Sequence, residues 1–293
     1  DDVIQVQAVD LHTGDLSIDA NLVVKGDITQ GMKVRCEGDI TVGGLIESAD
    51  VWAKGNIIIG KGILGRVPEH DGNHHGHTVS VKAEGFINAV YASYAKLYAG
   101  TDIVISEQIL HCDTRAKRRV VVGNEKTLGS QIVGGITKAE VIEADILGSN
   151  AGVFTQFELK GPLDIKDYEI ACNNSILNAK AKMILYLRHV YSKFVAKASP
   201  EDSKEMIDKL KNTINSLANV IIECEERELL LKDECEQMIQ GLTIVAKKKI
   251  QPNVLVRVGY AQFRTSRERA PGELHYEKGE IHYNPAFIEN KKS

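Results

Sequence analysis

A short phrase repeated along residues 22–59 limits this chain more than any other feature. An apolar residue, three intervening residues, a Gly, a polar residue and Ile recur in order. Leu22 leads to Gly26-Asp27-Ile28, Val34 to Gly38-Asp39-Ile40, and Val51 to Gly55-Asn56-Ile57. Related forms stand at Gly14-Asp15-Leu16, at Val81 through Gly85-Phe86-Ile87, and at Gly100-Thr101-Asp102-Ile103. Units this short cannot bury an apolar face alone, so their repetition implies stacking. The apolar phrases are brief and rich in Val and Ile, which selects strand over helix. Gly at each boundary is expected to take positive φ, and the Asp or Asn after it suits a tight corner. The expected fold class is mainly β with an α insertion. It comprises a parallel β-helix (solenoid) and a long antiparallel coiled-coil hairpin.

The hairpin follows from where glycine stops. No Gly lies between Pro162 and Gln240, and after Gly161 the chain has only Gly241, Gly259, Gly272 and Gly279. A region that avoids Gly is what long helices require. Within it, Ile176, Met183, Leu187, Val190 and Phe194 read as a heptad seam with Lys180 as a polar exception. Ser199-Pro200-Glu201-Asp202 reads as a helix start, with Ser as N-cap, Pro at the first helical position and acids in the first turn. Ile207, Leu210, Ile214, Leu217, Ile221, Cys224, Glu228, Leu231, Cys235 and Met238 then alternate three and four residues apart. Lys180 and Glu228 would fix the register if they face each other. The domains expected are therefore 1–162 as the solenoid, with an inserted loop at 64–78, then 163–241 as the hairpin. Residues 242–293 are a β return packing on the solenoid. Tyr91, Tyr94 and Tyr98 stand at helical spacing, but Gly85 and Gly100 bracket them at rung length, which favours strands.

Composition narrows the function class. With 293 residues and a net charge of -4, the chain can bury a solid core and has no basic excess for broad nucleic-acid or anionic-membrane binding. No apolar run approaches the roughly 20 residues of a membrane helix, so no direct membrane insertion is expected. Cys36, Cys112, Cys172, Cys224 and Cys235 are scattered without a CxxC pair, as expected of reduced thiols. The start at Asp1 without Met suggests a trimmed chain with a further N-terminal region.

Candidate sites are few. His70, His74, His75 and His77, beside Glu69 and Asp71, could ligate a divalent metal such as Zn or Ni; a solvated loop is the simpler reading, because structural zinc sites show tighter paired spacing. No other cofactor is expected. His111-Cys112-Asp113 invites a nucleophile reading, although adjacent strand residues point to opposite faces. Arg115, Arg118 and Arg119 form a basic run suited to phosphate, an acidic partner or a charged corner, and Lys247-Lys248-Lys249 offers the same choices. Glu223, Glu226 and Asp233 lie in an acidic strip of the second helix, either a solvated face or a docking strip for a basic partner.

The Gly-polar-Ile rungs, the Gly134-Gly135 rung followed by Ile146-Leu147-Gly148-Ser149, the closing Gly161, the heptad hairpin and the β return together resemble the bacterial flagellar assembly protein A family. The resemblance spans nearly all of residues 11–285. The chain departs from it at Gln251-Pro252-Asn253, where members commonly carry Tyr-Pro-Gly. The resemblance implies a cytoplasmic, non-catalytic scaffold needed for flagellar assembly or placement, recruited to the assembly site. It would act on cytosolic protein partners through solenoid faces and coiled coil. No nucleic acid is expected among its partners, and a homo-oligomer is allowed. The alternatives are a β-helix enzyme of acyltransferase or polysaccharide-active type, and a metal-binding protein using the His-rich loop.

Overall fold

The structure, a computed structural model, describes the backbone of residues 2–67, 78–124, 127, 129–160, 163–197 and 204–286. It leaves aside the side chains of 163–169, 194–197, 204–206, 232, 235, 236 and 238–240. The molecule is mainly β with two long helices, α1 (Leu163–Lys197) and α2 (Lys204–Gln240). It divides into two compact units: Asp1–Gly161 with Gln240–Ser293, and Pro162–Ile239.

In the first unit the short Val- and Ile-rich phrases pair in parallel and stack their inward residues in three columns. Leu22, Ile40, Ile57, Ile87 and Ile103 are successive Cα partners in the first. Ile28, Ile46, Ile63, Ala92, Ile109 and Ile132 form the second. The third runs through Val34, Val51, Val81, Leu97, Thr114, Thr137 and Phe157. All of these side chains are buried, and apart from Thr114 and Thr137 they are apolar, so successive turns of chain build the walls of a shared core. Strand alternation sends the intervening residues outward. Tyr91 and Tyr98 lie in strands Ile87–Ser93 and Ala95–Ala99, with Tyr94 at the corner between them.

The repeated phrase marks corners rather than whole rungs. Leu22–Ile28 turns from the first column to the second, whereas Val34–Ile40 and Val51–Ile57 turn from the third to the first. Those two corners face a similar chemical demand and select similar words. That demand also corrects the expected role of glycine. Gly38, Gly55 and Gly85 do not take positive φ; a Cβ on each would strike the side chain of Asn21, Asp39 or Asn56 on the preceding rung, and backbone there as well. Those side chains climb the corner as a ladder. Asn21 Oδ1 accepts from Asp39 N at 2.8 Å, Asp39 Oδ1 from Asn56 N at 2.6 Å, and Asn56 Oδ1 from Phe86 N at 3.0 Å. The first two links join residues 18 and 17 apart, the local length of a rung.

Positive φ gathers instead at the corner between the second and third columns: Gly31 (84°), Ser48 (43°), Tyr94 (49°), His111 (51°), Gly134 (67°) and Gly148 (82°). Asn253 takes the same place at 64°, so the Asn that departs from the family pattern keeps the left-handed turn. Asn reaches this region more readily than most residues. Its side chain also donates to Gly152 O at 2.9 Å.

The ladder continues across the helical insertion. Ile142 pairs with Ile244, Leu147 with Ile250 and Phe157 with Val256, all in parallel. Antiparallel strands then end it: Ala261–Arg264 on Val254–Val258, Gly272–Glu277 on Thr243–Ile250, and Glu280–Pro285 on Gly272–Glu277. Leu64, expected to begin the inserted loop, is instead the last residue of strand Gly62–Leu64. Residues 68–77 of that loop lie outside the described residues.

In the second unit α2 half-buries or buries Ile207, Leu210, Ile214, Leu217, Ile221, Cys224, Glu228 and Leu231, the phase its heptads predict. The phase expected for α1 needs correction. Ile176 and Met183 are 44% and 51% exposed, while Leu177, Lys180, Ile184, Leu187 and Tyr191 turn inward. Apolar residues one position apart give α1 two overlapping stripes that share Lys180 and Leu187, and the covered one runs through Leu177, Ile184 and Tyr191 in place of Ile176 and Met183. Lys211 Nζ sits 6.0 Å from the Tyr191 ring centroid, a contact between the helices. The expected N-cap at 199–202 falls outside the described residues.

Candidate functional site

Few of the sequence-derived candidates come together. His70, His74, His75 and His77 lie outside the described residues. Among the described residues no three His, Cys, Asp or Glu side chains gather as ligands for one metal ion. His111 stacks on Tyr94, ring centroids 5.1 Å apart and planes 11° from parallel. Behind it, Gly134 leaves the room that a Cβ would take from the imidazole. Cys112 points the other way into the core; its burial pushes the thiol up to about 12. A proton-holding thiol facing inward cannot share a reacting centre with an imidazole stacked at the corner.

The basic run is occupied locally. Arg118 and Arg119 reach Asp102 Oδ2 at 2.7 and 3.3 Å. Burial raises the Asp102 carboxyl, but the hydrogen bonds from Arg119 and Arg118 outweigh it and hold the group below its ordinary range. Arg115 makes a fork to Asp113, with Nε at 3.1 Å and Nη2 at 3.0 Å. Lys247, Lys248 and Lys249 pair with Glu143, Asp145 and Glu268 at 3.4, 3.1 and 3.2 Å. Glu223, Glu226 and Asp233 are exposed on α2.

One row was missed at the sequence level. The residue after each inward member of the third column points outward, and parallel register aligns Arg35, Trp52, Lys82, Tyr98, Arg115 and Lys138. Cations and aromatic rings alternate over the first five. Arg35 Cζ lies 4.1 Å from the Trp52 centroid, and Lys82 Nζ 5.3 Å from that of Tyr98. Each cation leans onto the ring of the next rung, an attraction worth about 0.5–1 kcal/mol at an exposed site. Beside Arg35 and Trp52 is a shallow depression of about 470 Å³, edged by Asp15, Ser17, Lys33, Asp50 and Ser80. The signal was available in the repeat: Val34, Val51 and Val81 were aligned, and the position after each reads Arg, Trp, Lys. A fixed row of cations and rings can hold an extended partner bearing acidic and apolar groups.

Among the described residues no helix is long and apolar enough to cross a membrane. No curated protein and no solved structure matches the chain. A family model described as the Flagellar Assembly Protein A beta solenoid domain matches residues 2–281, nearly the whole of the chain and both helices included. With a match of that extent over a stacked β ladder interrupted by two helices, the chain belongs to the flagellar assembly protein A β-solenoid family.

Proposed function

We propose that this protein is a non-catalytic, cytoplasmic scaffold for flagellar assembly or placement, working as a parallel β-helix with an antiparallel coiled-coil hairpin that bind protein partners. The observation that carries this reading is the register-locked outward row from Arg35 to Lys138. Parallel stacking holds it at one side chain per rung, about 4.8 Å apart, a spacing suited to recognising an extended surface. The inward stripes of α1 and α2 and the Lys211–Tyr191 contact support the hairpin. In an antiparallel pair with Tyr191 opposite Lys211, Lys180 falls more than a turn away from Glu228, so those two residues do not set the register together.

Complementation in a flagellated bacterium tests the reading. A strain lacking this protein is expected to lose or misplace flagella in electron micrographs. His111→Gly, compatible with the left-handed corner, and Cys112→Ala should each restore them, whereas Trp52→Ala with Lys82→Glu should not. Failure of the His111 or Cys112 variant, with the fold intact, would favour chemistry over scaffolding.

A further inference from the structure

The alternation on the third column sets a pattern that a partner must match. Arg35, Trp52, Lys82 and Tyr98 occupy successive rungs, so like groups recur every two rungs, about 9.6 Å apart. Tyr98 is 46% exposed and Trp52 is half-buried beside the depression. The matching surface presents acidic and apolar side chains alternately with a repeat near 10 Å.

The outer face of α2 carries that pattern. Ile222 and Leu229 are 52% and 65% exposed, and Glu226 and Asp233 are exposed between and beyond them. Like groups are one heptad apart, about 10.5 Å along an α-helix. The four residues fall on one narrow stripe, on the side away from the inward Ile221, Cys224, Glu228 and Leu231. Read from Asp233 back to Ile222, the order is acid, apolar, acid, apolar. Read along the solenoid from Arg35, it is cation, ring, cation, ring.

We propose that α2 of one molecule docks in trans on the Arg35–Tyr98 row of a second copy. Asp233 meets Arg35, Leu229 meets Trp52, Glu226 meets Lys82 and Ile222 meets Tyr98. The helix runs against the direction in which the rungs advance, because only that direction matches all four pairs. From Ile222 to Asp233 the helix spans about 16 Å and three rung steps span about 14 Å. The long stems of Arg35 and Lys82 absorb the difference. Reciprocal docking closes a two-fold dimer, and one-way docking links copies in a chain. The proposal rests on the reading of these surfaces as protein-binding, but its test needs only the purified chain.

The test is a dilution series of the full chain, with mass measured by light scattering. Emission from Trp52, the one tryptophan of the sequence, is read in parallel. Self-association at low ionic strength is expected, with a Trp52 emission change that follows it and both lost as salt is raised. Arg35→Glu with Lys82→Glu should weaken association at least about tenfold, as should Glu226→Lys with Asp233→Lys. The variant carrying all four reversals should recover it, a result that misfolding cannot produce. A monomer at every concentration, or an oligomer indifferent to these substitutions, overturns the proposal. Neither result touches the flagellar phenotype of a scaffold that binds other proteins.

Discussion

At the scale of single residues, the corner glycines act through what they lack. Gly55 needs no left-handed backbone; it needs to leave room for Asp39 Oδ1 and for the Gly38 carbonyl beneath it. That explains why Gly and an Asx residue travel together, since the Asx of one rung fills the space that the Gly of the next leaves open. Gly55→Ala is expected to cost about 1–3 kcal/mol by overpacking. Asp39→Ala removes the acceptor for Asn56 N and has its own cost. In the double variant one of the two clashes disappears, so the losses should sum to more than the double variant shows. Urea midpoints of the four proteins in this cycle measure the coupling, and strict additivity would show that the Gly and the Asx do not share the space.

At the scale of the columns, the core is uniform except for polar residues inserted among aliphatic ones. Thr114 is fully buried in the third column between Leu97 and Thr137, and its hydroxyl has no hydrogen-bond partner among the described residues. An unmatched buried hydroxyl costs about 1–3 kcal/mol, and Val has the same shape and the same preference for strands. Thr114→Val should therefore stabilise the protein by about 1 kcal/mol, seen as a higher urea midpoint with an unchanged slope. A lower midpoint would mean that the hydroxyl is satisfied in solution, for instance by a buried water. The columns also show what the sequence could reveal. The Val and Ile phrases and the Gly-Asx words were legible because they satisfy local, repeated demands. The assignment of each phrase to a wall was not, because Leu22 and Val34 occupy similar words on different columns. Arg35, Trp52 and Lys82 could be aligned from the phrase alone, but Tyr98, Arg115 and Lys138 join their row only through the register of the later rungs. The α1 phase was misread for a related reason: Ile176 and Leu177, like Met183 and Ile184, offer two adjacent stripes, and only the partner helix chooses between them.

For the molecule as a whole, the ladder joins segments that are distant in sequence, and ion pairs fasten the outside of those joins. Lys248 from the strand after the helices meets Asp145 of strand Val141–Leu147, which precedes them. Lys138 meets Glu158 one rung on. Burial raises the Asp145 carboxyl, and backbone hydrogen bonding from Gly129 with the Lys248 contact lowers it further than burial raises it. Burial likewise raises Glu158, with Lys138 and Gln156 prevailing over it, and Asp102 follows the same rule with its two arginines. All three groups titrate below their ordinary values of 3.8, 4.5 and 3.8. A carboxyl depressed in the folded state binds fewer protons there than in the unfolded chain, so its contribution is complete above the ordinary value. That contribution is lost as pH falls through the folded value. Glu140, raised by burial, works in the opposite sense, and among the described carboxyls it opposes these three and Asp10, which backbone hydrogen bonds from Thr13 and His12 lower. The solenoid unit should thus be steady from neutral pH down to about pH 5 and weaken steeply below about pH 4. Replacing Asp102 with Asn should lower the neutral-pH urea midpoint and flatten the acid limb, because the group that titrates has gone. An acid limb unchanged in that variant would assign the pH dependence to the other carboxylates and leave the Arg118–Arg119 clamp without a part in it.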